Sequence, residues 1–336
     1  MKNHIDSNKL NWLRIAGISC CFIFSLSCYG QQEQMITQYM YNGLSLNPAY
    51  AGIHQGISIS GLWREQWVAI DGAPRTQFVS IHSPLNYRSA SLGALLYKDQ
   101  TGVKTEYTGY FSYAYRIRFV DGSKLSLGLQ ANLHQFSNDA GALEEQRGLS
   151  SNSDTSDPLY NAFLNENLGF KWNFGAGVLW HSEKHYIGIS VPQILSKRFF
   201  KRSADLSDEL NPRLKQHFFA AAGYVIKTSK NFVIKPNLLF KYVESAPAEL
   251  DLNMNVLVSE ALWLGTSLRT HLGQSDEKTS IFESISGLIA LQINPQFQLG
   301  YSYDYTITDI NTNTHEVMLN YIFNLSNRKI KTPRYF

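Results

Sequence analysis

Between residues 297 and 307 the chain reads FQLGYSYDYTI, so Phe297, Leu299, Tyr301, Tyr303 and Tyr305 alternate with Gln298, Gly300, Ser302, Asp304 and Thr306. Successive side chains of an extended strand point to opposite sides, which gives this segment one aromatic face and one polar face. The period of two recurs along the chain. In KLSLGLQANLH (124–134) Leu125, Leu127, Leu129 and Leu133 oppose Ser126, Gln130, Asn132 and His134. EYTGYFSYAYRIRF (106–119), ELDLNMNVLV (249–258) and HEVMLNYIFNL (315–325) repeat the pattern. No heptad, no clear 3.6-residue period and, beyond the first thirty residues, no run of 18 apolar residues interrupts it, so the chain is a β protein without a candidate transmembrane helix.

The alternation predicts about fourteen strands, near 57–63, 75–83, 88–98, 105–119, 123–136, 166–181, 185–192, 214–227, 231–243, 249–258, 261–271, 279–293, 296–307 and 314–325. Several have roughly ten alternating residues, the length a tilted strand needs to cross a bilayer. Connections after the even strands are tight: PLNY (84–87), VDGS (120–123), SEKH (182–185), TSKN (228–231), a break near Glu260 and Asn294-Pro295. Those after odd strands are longer, two of them much longer, near 137–164 and 193–213. The expected fold is therefore an all-β transmembrane outer-membrane barrel of about fourteen antiparallel strands, with short periplasmic turns and longer extracellular loops. The aromatic face of 297–307 then meets lipid, Gln298, Ser302 and Asp304 face a polar lumen, and tyrosines near strand ends form interfacial girdles. A secreted β-sandwich or propeller with a Tyr-rich core shares the greasy faces, but has no reason to sort loop lengths by parity.

Composition sharpens this. Aromatic residues make up 13% and charged residues 17%, below the roughly 25% usual in soluble domains. Lys2, Lys9 and Arg14 precede the apolar run Ile15–Gly30, which ends in small residues before QQEQ, the layout of a signal peptide cleaved between Gly30 and Gln31. A lipoprotein reading would use Cys28, but Leu26 stands one place too late. All three cysteines (Cys20, Cys21, Cys28) lie in this segment, so the mature chain must draw its stability from burial and hydrogen bonding. Removing residues 1–30 takes away three Lys/Arg and one Asp, which lowers the net charge from +3 to +1 and leaves no basic block for nucleic acid. The expected organisation is signal peptide 1–30, N-terminal periplasmic or lumen segment 31–56, barrel 57–325 and periplasmic tail 326–336.

Specific stretches go further. QYMYNGLSLNPAYAG (38–52), LWREQWVAIDGAPRTQ (62–77), SIHSPL (80–85), GYSYD (300–304), HEVMLNYIFN (315–324) and the tail TPRYF (332–336) resemble the PorP/SprF family, outer-membrane proteins of the type IX secretion and gliding machinery of Bacteroidota. YAYRI (113–117) and LSLGL (125–129) extend the likeness along the mature chain. The resemblance implies a non-enzymatic accessory component that delivers or holds a secreted surface-protein client and contacts periplasmic machinery proteins. A transport barrel for a small hydrophobic or polar solute is the alternative, and a lumen filled by residues 35–53 would argue against it.

Candidate residues follow from the motifs. Asn47-Pro48 stops regular structure and leads through Tyr50 and Gly52 to the first strand. That makes 35–53 either a packed chain entry or a plug that docks a periplasmic partner. Trp63, Arg64, Trp67, Asp71, Gly72, Pro74 and Arg75 fall in or beside the first outer connection, as an interface girdle with a turn or as an anchor for a client. Arg334 and Phe336 close a basic tail that suits docking. The acids Asp139, Glu144, Glu145, Asp154 and Asp157 fit no calcium loop, KRFFKRS (197–203) reads as a solvated basic loop, and His181, Glu183 and His185 lack a third ligand. No G-x-S-x-G, HExxH or P-loop occurs. No enzyme activity, metal or cofactor is expected, and the partners are a client, periplasmic machinery and outer-membrane lipid.

Overall fold

The computed structural model describes residues 35–54, 56–85, 89–138, 170–198, 213–229, 231–244, 246–272, 281–307 and 312–323. Fourteen antiparallel strands form the wall: β1 Ile57–Glu65, β2 Arg75–Pro84, β3 Ala90–Thr101, β4 Lys104–Arg118, β5 Lys124–Asn138, β6 Phe170–His181 and β7 His185–Val191. β8 is His217–Tyr224, resuming after Val225 as Ile226–Lys227. β9 Phe232–Val243, β10 Ala248–Val258, β11 Leu262–Leu272, β12 Phe282–Gln292, β13 Phe297–Thr306 and β14 Asn313–Phe323 complete it. Each strand pairs with its neighbours in sequence, and β1 pairs with β14 with Arg64 opposite Glu316, so the sheet closes. Closure pairs every edge, the condition for strands to stand in hydrocarbon.

Two faces result from one alternation. Outward residues are apolar, with aromatics near both strand ends: Trp63, Tyr107, Trp172 and Tyr305 at one end, Tyr115, Trp180, Tyr224 and Phe323 at the other. Aliphatics such as Leu129, Ile189 and Leu252 cover the middle. This is a lipid-facing band between two girdles. Tyr301, Tyr303 and Tyr305 belong to it, while Gln298, Ser302 and Asp304 point inward and are buried.

Two expectations change. β3 and β4 are joined by only Gly102-Val103, with Gly102 at φ +56°, because the two strands stay paired, Asp99 with Glu106, Gln100 with Thr105 and Thr101 with Lys104. One odd connection is therefore as tight as the even ones. The lumen is also mixed rather than polar: Leu62, Phe78, Leu95, Leu239, Trp263 and Met318 point inward and pack a core with Tyr39, Met40, Leu44 and Tyr50 of the N-terminal segment. A lumen face can afford apolar residues wherever chain rather than water covers them. Residues 139–169 and 199–212, and with them the candidate calcium acids and most of KRFFKRS, lie outside the described residues.

Candidate functional site

Residues 35–54 occupy the lumen. They form three single turns of 3₁₀ helix, Tyr39–Tyr41, Gly43–Ser45 and Pro48–Tyr50. The last turn starts at Pro48, where the sequence predicts only a stop to regular structure. Pro48 has no N–H to lose at the first helical position, and the Asn47 side chain caps the turn by accepting from the Ala49 N–H at 2.9 Å. Asn47 also donates from Nδ2 to the carbonyls of Val178 on β6 (3.0 Å) and Ile189 on β7 (3.3 Å), which fixes the cap to the wall. Ser190 donates to the Leu46 carbonyl at 2.7 Å.

The wall makes room for this segment with glycine. At Gly128 of β5 a Cβ would coincide with the backbone of Pro48 and Ala49, so no other residue leaves the two chains where they are. Gly52 adopts φ +66°, turning the chain toward β1, and a side chain there would meet Ser91 and the backbone of Pro84.

Each end of the segment is held by charge. At the outer end, the Thr37 and Gln38 N–H groups donate to the two oxygens of Glu316 at 3.0 and 2.8 Å. The Thr37 hydroxyl donates to Asp304 at 2.6 Å. Arg64 donates to Asp304 and Glu316, both at 2.9 Å, and to the Thr37 hydroxyl at 3.1 Å. At the periplasmic end, Arg116 donates to the carbonyls of Gly52 (2.9 Å) and Ala51 (3.2 Å), and the Gly52 N–H donates to His82 Nδ1 at 3.1 Å. Between them, Asn42 donates to Ser80 and Asn253 to the Tyr39 hydroxyl. Two cavities beside the segment measure about 40 and 50 Å³, room for a few waters.

A closed fourteen-stranded wall around its own N-terminal chain now has a family to match. The model of the type IX secretion system membrane protein PorP/SprF covers residues 29–321. The chain belongs to the PorP/SprF family. Among curated proteins no relative matches. Solved structures similar in outline include the Acinetobacter baumannii outer membrane protein Omp33, at 9% identity and TM-score 0.45, covering 81% of this chain and 100% of that one. The CymD monoaromatic hydrocarbon channel follows at 13% and 0.47, covering 88% and 95%, and the KdgM porin at 9% and 0.37, covering 79% and 99%.

The motif residues of this PorP/SprF barrel do not form one site. Asn47, Pro48, Tyr50 and Gly52 lie together in the lumen. Trp67, Asp71, Gly72, Pro74 and Arg75 stand at the outer rim, where the loop 66–74 bridges two neighbours. Val68 N–H donates to Asn313 O at 3.0 Å, and Gly102 N–H donates to Gly72 O at 2.7 Å. Trp67 holds φ +53°, a conformation bulky residues avoid, pinned by its N–H on the Thr314 hydroxyl. The rim loop and the tip of the β3–β4 hairpin enclose a cleft of about 290 Å³ lined by Glu65, Asp71, Arg75 and Gln100.

Trp63 and Arg64 correct the expectation that they sit at the rim loop. β1 runs on to Glu65, so Trp63 faces lipid, 52% exposed, and Arg64 faces the lumen, 2% exposed. Arg64 is spent on Asp304, Glu316 and Thr37 and cannot anchor an external client. Arg334 and Phe336 lie outside the described residues. Sequence reasoning missed Asp304, Glu316 and Arg116 as holders of the lumen segment. All three were visible as charges on strand faces that turn away from lipid.

Proposed function

We propose that this PorP/SprF protein is a non-enzymatic scaffold of the outer membrane. It holds a secreted surface protein at its outer rim and docks periplasmic components of the type IX machinery. The observation that carries this reading is the lumen packed by residues 35–54, because a bore filled with its own chain offers surfaces in place of a pathway. The family and the barrel are non-enzymatic in kind. In this reading residues 1–30 are removed as a signal peptide on export. The rim residues Trp67, Asp71, Gly72, Pro74 and Arg75 receive the client, with Trp67 as a rigid aromatic anchor. The periplasmic mouth, beyond the lumen segment that Asn47, Pro48, Tyr50 and Gly52 seat, and the tail with Arg334 and Phe336 meet the machinery.

The test is an affinity pull-down of the tagged protein from mildly solubilised outer membranes, with a tag-only control, beside solute flux through liposomes holding the pure barrel. Recovery of a large secreted protein with periplasmic components, and no flux, is the expected result. Recovery of the barrel alone, together with rapid solute flux, would replace the scaffold with a transport barrel.

A further inference from the structure

At the outer end of β10, β11 and β12, three side chains converge that no motif joins. Glu249 lies directly opposite His271 in the β10–β11 ladder. Between β11 and β12 the register slips, Arg269 facing Ser284 and Thr270 facing Phe282, so Glu283 has no partner in the ladder. Bulges of this kind re-aim a side chain. Here the bulge turns Glu283 against the alternation of its strand and toward His271, with Nε2 and Oε2 3.6 Å apart. One ligand atom from each of Glu249, His271 and Glu283 lies within 4.8 Å of the others.

We propose that Glu249, His271 and Glu283 bind a divalent first-row transition cation, of which Zn²⁺ is the representative, at the outer mouth of the barrel. Independent observations point the same way. The Glu249 side chain is 4% exposed and its Oε1 makes no hydrogen bond, while Oε2 takes Lys241 at 3.4 Å. His271 Nδ1 and Glu283 Oε2 also make no hydrogen bond. Each of the three residues thus carries a buried atom without a hydrogen-bond partner, and Glu283 Oε2, one of those atoms, lies toward His271 Nε2, so the group holds unmet polar capacity that a cation would satisfy.

The donor set names the class. One imidazole and two carboxylates suit zinc and its neighbours, whereas calcium takes six to eight oxygens. Bonds of about 2.0–2.2 Å would set tetrahedral ligand atoms about 3.4 Å apart, a closing that glutamate rotamers can supply. His271 and Glu283 are 30% and 17% exposed, so the ion has a way in from outside. The site adjoins Arg269, which ion-pairs with Asp251 at 2.9 Å and donates to the Met35 sulfur at 3.2 Å. A bound ion would therefore brace the rim beside the start of the lumen segment.

The experiment is isothermal titration of the full barrel, purified on a non-histidine tag, stripped with chelator and held in detergent, with Zn²⁺ as the probe. One ion per chain is expected, undisplaced by tenfold Ca²⁺ or Mg²⁺, with affinity lowered roughly tenfold or more in His271→Ala. Glu249→Gln, which keeps the shape, should show the same loss and covers the case in which His271→Ala does not fold. His134→Ala, at a lumen histidine on β5, should leave binding unchanged. Absence of stoichiometric binding, equal binding by wild type and Glu249→Gln, equal loss in His134→Ala, or displacement by Ca²⁺ would each overturn the assignment.

Discussion

The lumen segment is fastened at both ends, and the two fastenings have opposite sign. At the outer end its exposed backbone groups are N–H donors, and carboxylates receive them: Glu316 takes two and Asp304 takes the Thr37 hydroxyl. At the periplasmic end the exposed groups are carbonyls, and the Arg116 guanidinium supplies the protons. A short helix leaves donors at its start and acceptors at its finish, and the barrel answers each with the matching charge. The difference lies in compensation. Asp304 and Glu316 share Arg64, whereas among the described residues the Arg116 side chain donates to the Ala51 and Gly52 carbonyls and the Ser126 hydroxyl, with no carboxylate. The outer fastening is a charge network, and the periplasmic one is a single cation neutralised by dipoles.

The largest effect should come from breaking the network. Arg64→Met leaves two buried carboxylates without their cation, and removing one partner of such a group costs about 3–5 kcal/mol. Urea unfolding of the barrel in lipid vesicles measures it. A loss under about 1 kcal/mol would mean that water reaches the outer end and that the two fastenings are energetically alike.

Between the ends, Gly128→Val asks whether the fastenings can hold a segment that no longer fits. The added Cβ meets the backbone of Pro48 and Ala49, not a flexible side chain, so the strain should reach about 3 kcal/mol, the upper end for overpacking. The expected readout is a folded barrel whose residues 47–50 become sensitive to protease and whose liposomes pass small solutes. A variant as impermeable as wild type would show that the wall gives way instead.

At the periplasmic end, Arg116→Met strands two neutral carbonyls rather than two charges. The expected loss is about 2 kcal/mol, clearly below that of Arg64→Met. If the order of the two variants were reversed in the same unfolding assay, the contrast between the fastenings would be wrong.

How much of this could be read beforehand follows from where the signal sits. The outward face announces itself, because Tyr301, Tyr303 and Tyr305 stand at every second position of one short window. The strands follow from that alternation, and the β3–β4 turn was misjudged only because Asp99, Gln100 and Thr101 look like loop while still pairing with β4. Asn47-Pro48 is read from sequence as a stop to regular structure, and the structure instead begins its last 3₁₀ turn at Pro48, with Asn47 extended before it as the cap. Arg64, Asp304 and Glu316 are different. They lie 240 and 252 residues apart and meet because β1 closes against β14, placing Arg64 opposite Glu316. A signal existed, since each occupies the polar register of its strand in a seam that any even-stranded meander must close. Trp63 beside Arg64 concealed it by making the pair look like a surface anchor. The Glu249, His271 and Glu283 grouping was less legible still, because the bulge that turns Glu283 inward contradicts the alternation by which the rest of the fold is read.

The smallest expected effect probes whether the outer network reaches the segment or merely sits beside it. Thr37→Val keeps the shape of the side chain and removes one hydroxyl that donates to Asp304 and accepts from Arg64. Both partners retain each other, so the loss should be about 1 kcal/mol, the value of a typical buried hydrogen bond. The Glu316 bonds to the Thr37 and Gln38 N–H groups survive the change, and the segment should remain seated. In a double-mutant cycle with Asp304→Asn the coupling should be positive and of the same order, because the two groups touch. Additivity would mean that the network stabilises only the β1–β14 seam. The segment would then be held at its outer end by Glu316 alone, and the asymmetry between the two fastenings would shrink to one carboxylate against one guanidinium.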